Sequence, residues 1–139
     1  MARIELEVNA RIATPADKCW DRAGGWATIH EWHPAIAKTD TEGEGVGALR
    51  TLTLGDGAQI KERLDSVEAM RYGYTFLEHP LPVDEYHGNI GVTDNGDGTS
   101  TVTWGANFVA KGASDEEAKE VIAGIFKAGL DALASEFSS

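Results

Sequence analysis

The chain of 139 residues is 42% hydrophobic and 25% charged, which is the composition of an ordinary globular protein. One hydrophobic core accommodates a chain of this length, so we expect a single domain over residues 1–139. The 23 acidic residues outnumber the 12 lysines and arginines and give a net charge of −11. This charge disfavours nucleic acid and anionic membrane surfaces as partners.

We expect neither a targeting segment nor a membrane span. No apolar run approaches the roughly 20 residues of a membrane-spanning helix. The residues from Arg3 to Glu7 alternate apolar and charged side chains, unlike the apolar centre of a signal peptide. A cytoplasmic protein, monomeric or homodimeric, is therefore expected. The single cysteine, Cys19, excludes an intramolecular disulfide and a cysteine-based zinc cluster.

The first elements follow from the spacing of apolar residues and from capping signals. Alternation with a period of two over residues 3–12 predicts a half-buried strand. Thr14 offers a side-chain cap for a short helix over residues 15–23, which a glycine pair ends. Residues 26–34 are predicted to form a second short helical or irregular piece, ended by its proline.

The middle of the chain, from residue 35 to 111, is predicted to form strands separated by glycine-rich and acidic turns. The predicted strands are 35–41, 47–54, 58–67, 71–78, 84–93 and 99–111. Ser114 then begins a capping box, after which apolar residues at helical spacing predict a helix of about 22 residues. The stripe consists of Ala118, Val121, Ile122, Ile125, Phe126, Gly129, Leu130, Leu133 and Phe137.

This order of elements predicts an α+β fold. A seven-stranded antiparallel sheet has more apolar surface than two short helices can cover, so the long C-terminal helix must lie across it. If the sheet curls around that helix, an internal cavity remains between them.

A predicted hairpin brings two opposite charges together. A turn centred on residues 55–57 places Leu52 opposite Ile60 and Arg50 opposite Glu62, all on one face. The leucine and isoleucine identify that face as the apolar one. Burying both ions costs several kcal/mol per ion, so such a pair stabilises a fold poorly. It therefore indicates an interior that holds water or a ligand. A purely structural ion pair, or a bulge that turns one partner outward, is the alternative.

Aromatic residues populate the same predicted lining. Pairing across the turn near residue 96 sets Ile90 against Trp104 and Tyr86 against Phe108. Trp104 and Phe108 are equally consistent with plain core packing. Buried tyrosine hydroxyls need partners, so Tyr74 and Tyr86 are expected to hydrogen-bond the charged pair or a ligand.

The run His30-Glu31-Trp32-His33 contains two imidazoles and a carboxylate but does not predict a metal site. Its spacing matches no helical zinc motif, and Pro34 ends any helix there. We expect no metal and no other cofactor.

Several motifs together resemble a known family. They are Trp32-His33-Pro34, Gly45-Val46-Gly47 before Arg50, Glu62-Arg63-Leu64, Tyr72-Gly73-Tyr74, and Pro80-Leu81-Pro82-Val83 before Tyr86. The chain resembles, over essentially its whole length, the polyketide cyclase/dehydrase branch of the SRPBCC (START/birch-allergen-like) superfamily. The resemblance implies a helix-grip fold, in which a seven-stranded antiparallel sheet wraps around the C-terminal helix and encloses an apolar cavity.

The pattern is similar to that of two kinds of member, lachrymatory factor synthase and the MxaD-like bacterial proteins. In the former, a cavity arginine, a glutamate and two tyrosines match Arg50, Glu62, Tyr74 and Tyr86.

We therefore expect the protein to bind a small, largely apolar molecule and to act on it by cofactor-free acid/base chemistry, as a cyclase, isomerase or dehydratase. Glu62 would be the general acid or base, and Arg50 would orient it and stabilise negative charge on the substrate. Further ligand-binding residues are expected to be Tyr74, Tyr86, Trp32, Leu52, Trp104, Phe108, Phe126 and Leu130.

Two alternatives remain at this point. The protein could be a carrier or sensor of a hydrophobic ligand, without catalysis, in which Arg50 clamps a carboxylate or phenolate. It could also be a structural or interaction protein with a filled core. A cavity of about 300 Å³ or more would favour ligand binding over the filled core.

Overall fold

A computed structural model describes residues 3–138 as an antiparallel sheet of seven strands with a long helix and a short one. The strands are β1 (Ile4–Ile12), β2 (Ile36–Glu42), β3 (Leu49–Leu54), β4 (Gln59–Glu68), β5 (Arg71–Glu78), β6 (Val83–Asp94) and β7 (Ser100–Ala110). The helices are α1 (Ala16–Ala23) and α2 (Asp115–Glu136). The sheet order is β1-β7-β6-β5-β4-β3-β2, so neighbours in sequence pair except where β1 joins β7.

The predicted α+β fold is confirmed, and no strand end differs from the predicted one by more than two residues. The second helical piece is only a 3-10 turn over Ile29–Glu31, because a glycine pair and Pro34 leave it little room to extend. The expected cap at Thr14 is wrong: Pro15 occupies the N-cap of α1 and no side chain caps it. The Thr14 carbonyl instead accepts a hydrogen bond of 2.9 Å from the Ser100 hydroxyl of β7.

Helix α2 begins as the capping signal predicts and covers the sheet. The Ser114 hydroxyl oxygen accepts from the backbone N–H of Glu117 at 3.1 Å. Residues at helical spacing bury one side of α2, which packs against β1 and β7. Val121 is wrongly placed in the predicted stripe, since it is 38% exposed, whereas Phe137 lies just past the end of the helix but still packs against the core. Neither helix in the described part of the chain is long and apolar enough to cross a membrane.

Candidate active site

Arg50 of β3 and Glu62 of β4 lie directly opposite each other, as the hairpin register predicts. Both side chains point into the protein, with exposures of 1% and 3%. The Arg50 Nε donates to Glu62 Oε1 at 2.7 Å, and Nη2 approaches the same oxygen at 2.7 Å. The pair therefore concentrates both guanidinium contacts on a single carboxylate oxygen.

The rest of the Arg50 guanidinium is held by groups that sequence reasoning did not assign to the site. Its Nη1 donates to the backbone carbonyl of Trp26 at 3.0 Å and to the hydroxyl of Tyr72 at 3.2 Å. The guanidinium carbon also lies 3.9 Å from the centre of the Trp26 ring, a cation–π contact. Tyr72 and Tyr74 are two residues apart on β5 and so lie on the same face, and this spacing in the sequence could have identified Tyr72 as a site residue. Trp26 lies in a loop, where no periodic pattern indicates an orientation.

Burial and pairing act in opposite directions on the two charges. Burial raises the pKa of the Glu62 carboxyl, and the neighbouring Arg50 charge opposes that rise. Burial, the largest single influence, would lower the pKa of Arg50, but the charge of Glu62, the neighbouring Tyr72 and the hydrogen bonds to both together outweigh it and hold the pKa above its ordinary value. Arg50 thus stays protonated, while Glu62 is a stronger base than an exposed glutamate.

Tyr74 and Tyr86 hydrogen-bond each other, hydroxyl to hydroxyl, at 2.9 Å. The Tyr74 oxygen also accepts from the Trp104 indole Nε1 at 2.9 Å. The sequence suggested the charged pair or a ligand as the partner of these hydroxyls. In the structure they hydrogen-bond each other and Trp104 instead. Burial raises the pKa of both phenols well above their ordinary value, so they remain neutral donors.

A bulge in β6 shifts the predicted pairing at one end of the lining. Ile90 pairs with Trp104 as expected, but the register slips between Asp84 and His87. Glu85, within the bulge, has a φ of 50°. Tyr86 is consequently not in simple register with Phe108, although their rings still lie 5.9 Å apart.

A partly enclosed cavity of about 70 Å³ lies between the sheet and α2. Most predicted site residues line it, namely Arg50, Leu52, Glu62, Tyr74, Tyr86, Trp104 and Phe126. Three predicted residues are buried elsewhere, namely Trp32, Phe108 and Leu130. Trp32 packs against Trp104 and Phe108 packs against Tyr86, so each lies one layer behind the cavity wall.

The segment between α1 and β2 supplies lining residues that sequence reasoning did not select, namely Ile29, His33 and Ala35. The His33 Nδ1 accepts from the backbone N–H of Ala35 at 3.1 Å, so its Nε2 donates to the Ile125 carbonyl of α2 at 2.8 Å. This imidazole therefore ties the segment to the helix.

The structure keeps the residues of the rejected metal motif apart. The His30 Nδ1 contacts the Thr39 hydroxyl at 2.9 Å, and Glu31 pairs with Arg22 at 2.9 Å. Within residues 3–138, no cluster of three or more His, Cys, Asp or Glu side chains could hold a metal ion.

Acidification is expected to destabilise the protein through His33. Burial lowers the pKa of the folded imidazole below its unfolded value of about 6.5, and its bond to Ile125 opposes only part of this effect. Below that pH the unfolded chain binds a proton that the folded one does not, so the free energy of unfolding falls by up to about 1.4 kcal/mol per pH unit. The free energy of unfolding stops falling once the pH is below the pKa of His33 in the folded protein.

Urea unfolding at several pH values between about 7.5 and about 5.5 measures how the free energy of unfolding changes with pH. We expect His33→Asn to lose less stability across the interval than the wild type. His87→Asn, at an exposed position, controls for the loss of a histidine. Equal losses in the wild type and His33→Asn would contradict the assignment.

Gly88 of β6 is expected to be essential for the tyrosine pair. A Cβ atom at this position would lie 2.4 Å from Cζ of Tyr74 and 2.5 Å from its hydroxyl oxygen. Gly88→Ala should therefore displace the ring and lower the free energy of unfolding by about 1–3 kcal/mol. Denaturant unfolding measures the loss, and the NMR shift of the Trp104 indole N–H reports the broken bond to Tyr74.

The matched control is Gly124→Ala in α2, where a Cβ meets open space. That change should be neutral or stabilise by up to about 1 kcal/mol. If Gly88→Ala behaves in the same way, the close approach to Tyr74 is not a constraint.

Comparison with known proteins identifies the family. A family model described as polyketide cyclase / dehydrase and lipid transport matches residues 3–138. The chain belongs to this family. Among curated proteins, no match to the chain is found.

Solved structures agree with membership of the polyketide cyclase/dehydrase family. An uncharacterized protein from Bacillus thuringiensis is 30% identical, with a TM-score of 0.91 over 96% of this chain and 98% of that one. The protein XoxI from Bacillus cereus is 30% identical, with a TM-score of 0.91 over 96% and 94%. The Zhui aromatase/cyclase from Streptomyces sp. R1128 is 21% identical, with a TM-score of 0.78 over 97% and 93%, and shares the helix-grip fold.

Proposed function

We propose that this protein binds a small, largely apolar molecule at the cavity and acts on it by cofactor-free acid/base chemistry of the cyclase, isomerase or dehydratase type. The observation that carries the proposal is the Glu62 carboxylate, which lies on an apolar cavity wall with one oxygen committed to Arg50. A buried ion pair is a poor stabiliser, so its place beside a cavity favours a chemical role. The family description and the aromatase/cyclase neighbour support the same class of reaction.

Each polar side chain of the wall has a distinct role in this proposal. Glu62 removes a proton from a carbon or oxygen of the substrate and returns it at a second position, which regenerates the carboxylate. Arg50 fixes the carboxylate through Oε1 and stays charged. The neutral phenols of Tyr74 and Tyr86 donate a hydrogen bond to the substrate oxygen on which negative charge develops.

The size of the cavity limits what can enter. Its volume of about 70 Å³ is below the roughly 300 Å³ expected of a drug-sized pocket, so only a small group fits in this conformation. Four lining residues are partly or fully exposed, namely Ala35, Leu54, Phe76 and Ile125. We place the entrance to the cavity at these four residues. A larger substrate would either extend outward through this entrance or require the cavity wall to move.

Carriage without chemistry remains the second candidate, because the family description also names lipid transport. Two observations weigh against it. The small cavity does not accommodate a lipid chain in this conformation. Every guanidinium nitrogen of Arg50 already has a protein partner, so Arg50 is poorly placed to clamp a ligand carboxylate.

Exchange of the α-hydrogens of cyclopentanone for deuterium, followed by proton NMR in D₂O, tests the acid/base role. The reaction needs a base at the α-carbon and a donor at the carbonyl oxygen. We expect the wild type to exchange at least about 100-fold faster than Glu62→Gln. Glu44→Gln, which removes an exposed carboxylate, should retain the wild-type rate.

Glu62→Asp serves as a second variant, because it keeps a charge for Arg50 but withdraws the carboxylate from the cavity. Circular dichroism establishes that each variant is folded. Equal exchange rates in the wild type and in folded Glu62 variants would refute the catalytic role.

A further inference from the structure

The cavity wall has few polar groups, and most of their hydrogen-bonding capacity is already used. These groups belong to His33, Arg50, Glu62, Tyr74, Tyr86 and Trp104. Both ring nitrogens of His33 are bonded to the backbone, and the Trp104 N–H is bonded to Tyr74. Arg50 directs all three guanidinium nitrogens to Glu62, Trp26 and Tyr72. The unused capacity therefore lies on the glutamate, on the phenols and on a second N–H of Arg50 Nη2, for which no acceptor is found among residues 3–138.

Glu62 can still accept a hydrogen bond at one carboxylate oxygen. Its Oε1 takes both contacts from Arg50, and no hydrogen bond among residues 3–138 involves its Oε2. Glu62 lines an apolar cavity, and a ligand that supplies a donor to its free carboxylate oxygen there gains affinity from a charge-assisted hydrogen bond.

The hydrogen-bonded pair Tyr74 and Tyr86 can still donate one hydroxyl hydrogen. Tyr74 and Tyr86 carry one hydroxyl hydrogen each, and their mutual bond uses one of these whichever residue donates. The Trp104 N–H occupies a further acceptor position on Tyr74. One phenolic hydrogen is thus left without a partner in the described part of the chain.

An acceptor and a donor in an otherwise apolar wall match a group that both donates and accepts. From this inventory we infer that the cavity selects a neutral hydroxyl, whose hydrogen is donated to Glu62 Oε2 and whose oxygen accepts from the Tyr74–Tyr86 pair. The inference rests on the proposed function and names the chemical class of its ligand.

Other oxygen-containing groups fit less well. A ketone or ether accepts from the phenol but leaves Oε2 without a donor. A carboxylate meets the negative charge of Glu62, while the positive charge of Arg50 is already neutralised. A hydrocarbon leaves both positions unpaired.

A series of matched probes on the wild-type protein tests this preference. The probes are cyclopentanol, cyclopentanone, methylcyclopentane and cyclopentanecarboxylate, which share a ring that the entrance must accommodate. Each is titrated while the NMR shift of the Trp104 indole N–H is followed. We expect cyclopentanol to bind at least about tenfold more tightly than each of the others, since one unpaired buried group costs about that much.

The double variant Tyr74→Phe/Tyr86→Phe removes both phenolic hydroxyls from the cavity wall and so tests the donor side of the inference. A single replacement is not sufficient, because the remaining phenol then has a free hydrogen of its own. In the double variant we expect the affinities for cyclopentanone and methylcyclopentane to converge to within about threefold, because neither then has a polar partner in the wall, whereas cyclopentanol still donates to Glu62 Oε2.

The outcomes separate this inference from the proposed function. If methylcyclopentane or cyclopentanone binds as tightly as cyclopentanol, hydroxyl selection is refuted while binding of a small apolar molecule stands. If cyclopentanecarboxylate binds most tightly, Arg50 acts as an anion clamp and the inference is wrong. If no probe binds at millimolar concentration, the proposed function fails and the inference fails with it.

Discussion

Replacing Glu62 with alanine is expected to lower the free energy of unfolding by about 3–5 kcal/mol. The loss arises because Arg50, which is 1% exposed, would remain in the interior without its counter-ion. Its bonds to Trp26 and Tyr72 involve neutral oxygens and do not replace a carboxylate. Urea unfolding measured by circular dichroism provides the value.

Two controls make the result specific. Asp40→Ala removes the partner of Lys38 in an exposed ion pair and should cost less than about 1 kcal/mol. Arg50→Met/Glu62→Leu removes both buried charges and should recover much of the stability, because apolar residues often replace a buried ion pair without loss. That double variant should nevertheless be inactive. If Glu62→Ala is as stable as the wild type, Arg50 must reach water or another anion.

Phe126→Ala is expected to cost about 3–5 kcal/mol of the free energy of unfolding. The Phe126 ring is buried and lies parallel to the Trp104 ring, with centroids 4.4 Å apart. It joins α2 to β7 at the cavity wall, so truncation removes contacts with both the sheet and the cavity. Thermal or denaturant unfolding measures the loss.

The same substitution should enlarge the cavity and improve binding of methylcyclopentane, because an enlarged apolar cavity accommodates small hydrocarbons. Leu77→Ala, at an exposed position, should change stability by no more than about 0.5 kcal/mol and leave binding unaltered. A large loss of stability without improved binding would show that the wall collapses into the vacated space.

The order of elements and the buried charge pair could be predicted from the sequence because both depend on local geometry. A tight turn fixes the register of the β3–β4 hairpin, and strand parity then places Arg50 and Glu62 on the apolar face. Helical spacing and the signal at Ser114 likewise predict where α2 begins. These patterns are properties of neighbouring residues and need no knowledge of the rest of the fold.

Only the tertiary structure decided what surrounds that pair. Trp26 and His33 reach the site from a segment without periodic pattern, so no spacing in the sequence indicates where their side chains point. The register at Tyr86 is shifted by the bulge that contains Glu85, whose φ is 50°. The cavity volume was likewise decided by the tertiary structure: Trp104 and Phe126 of its wall stack on each other, and the distance between two elements depends on how every other side chain packs.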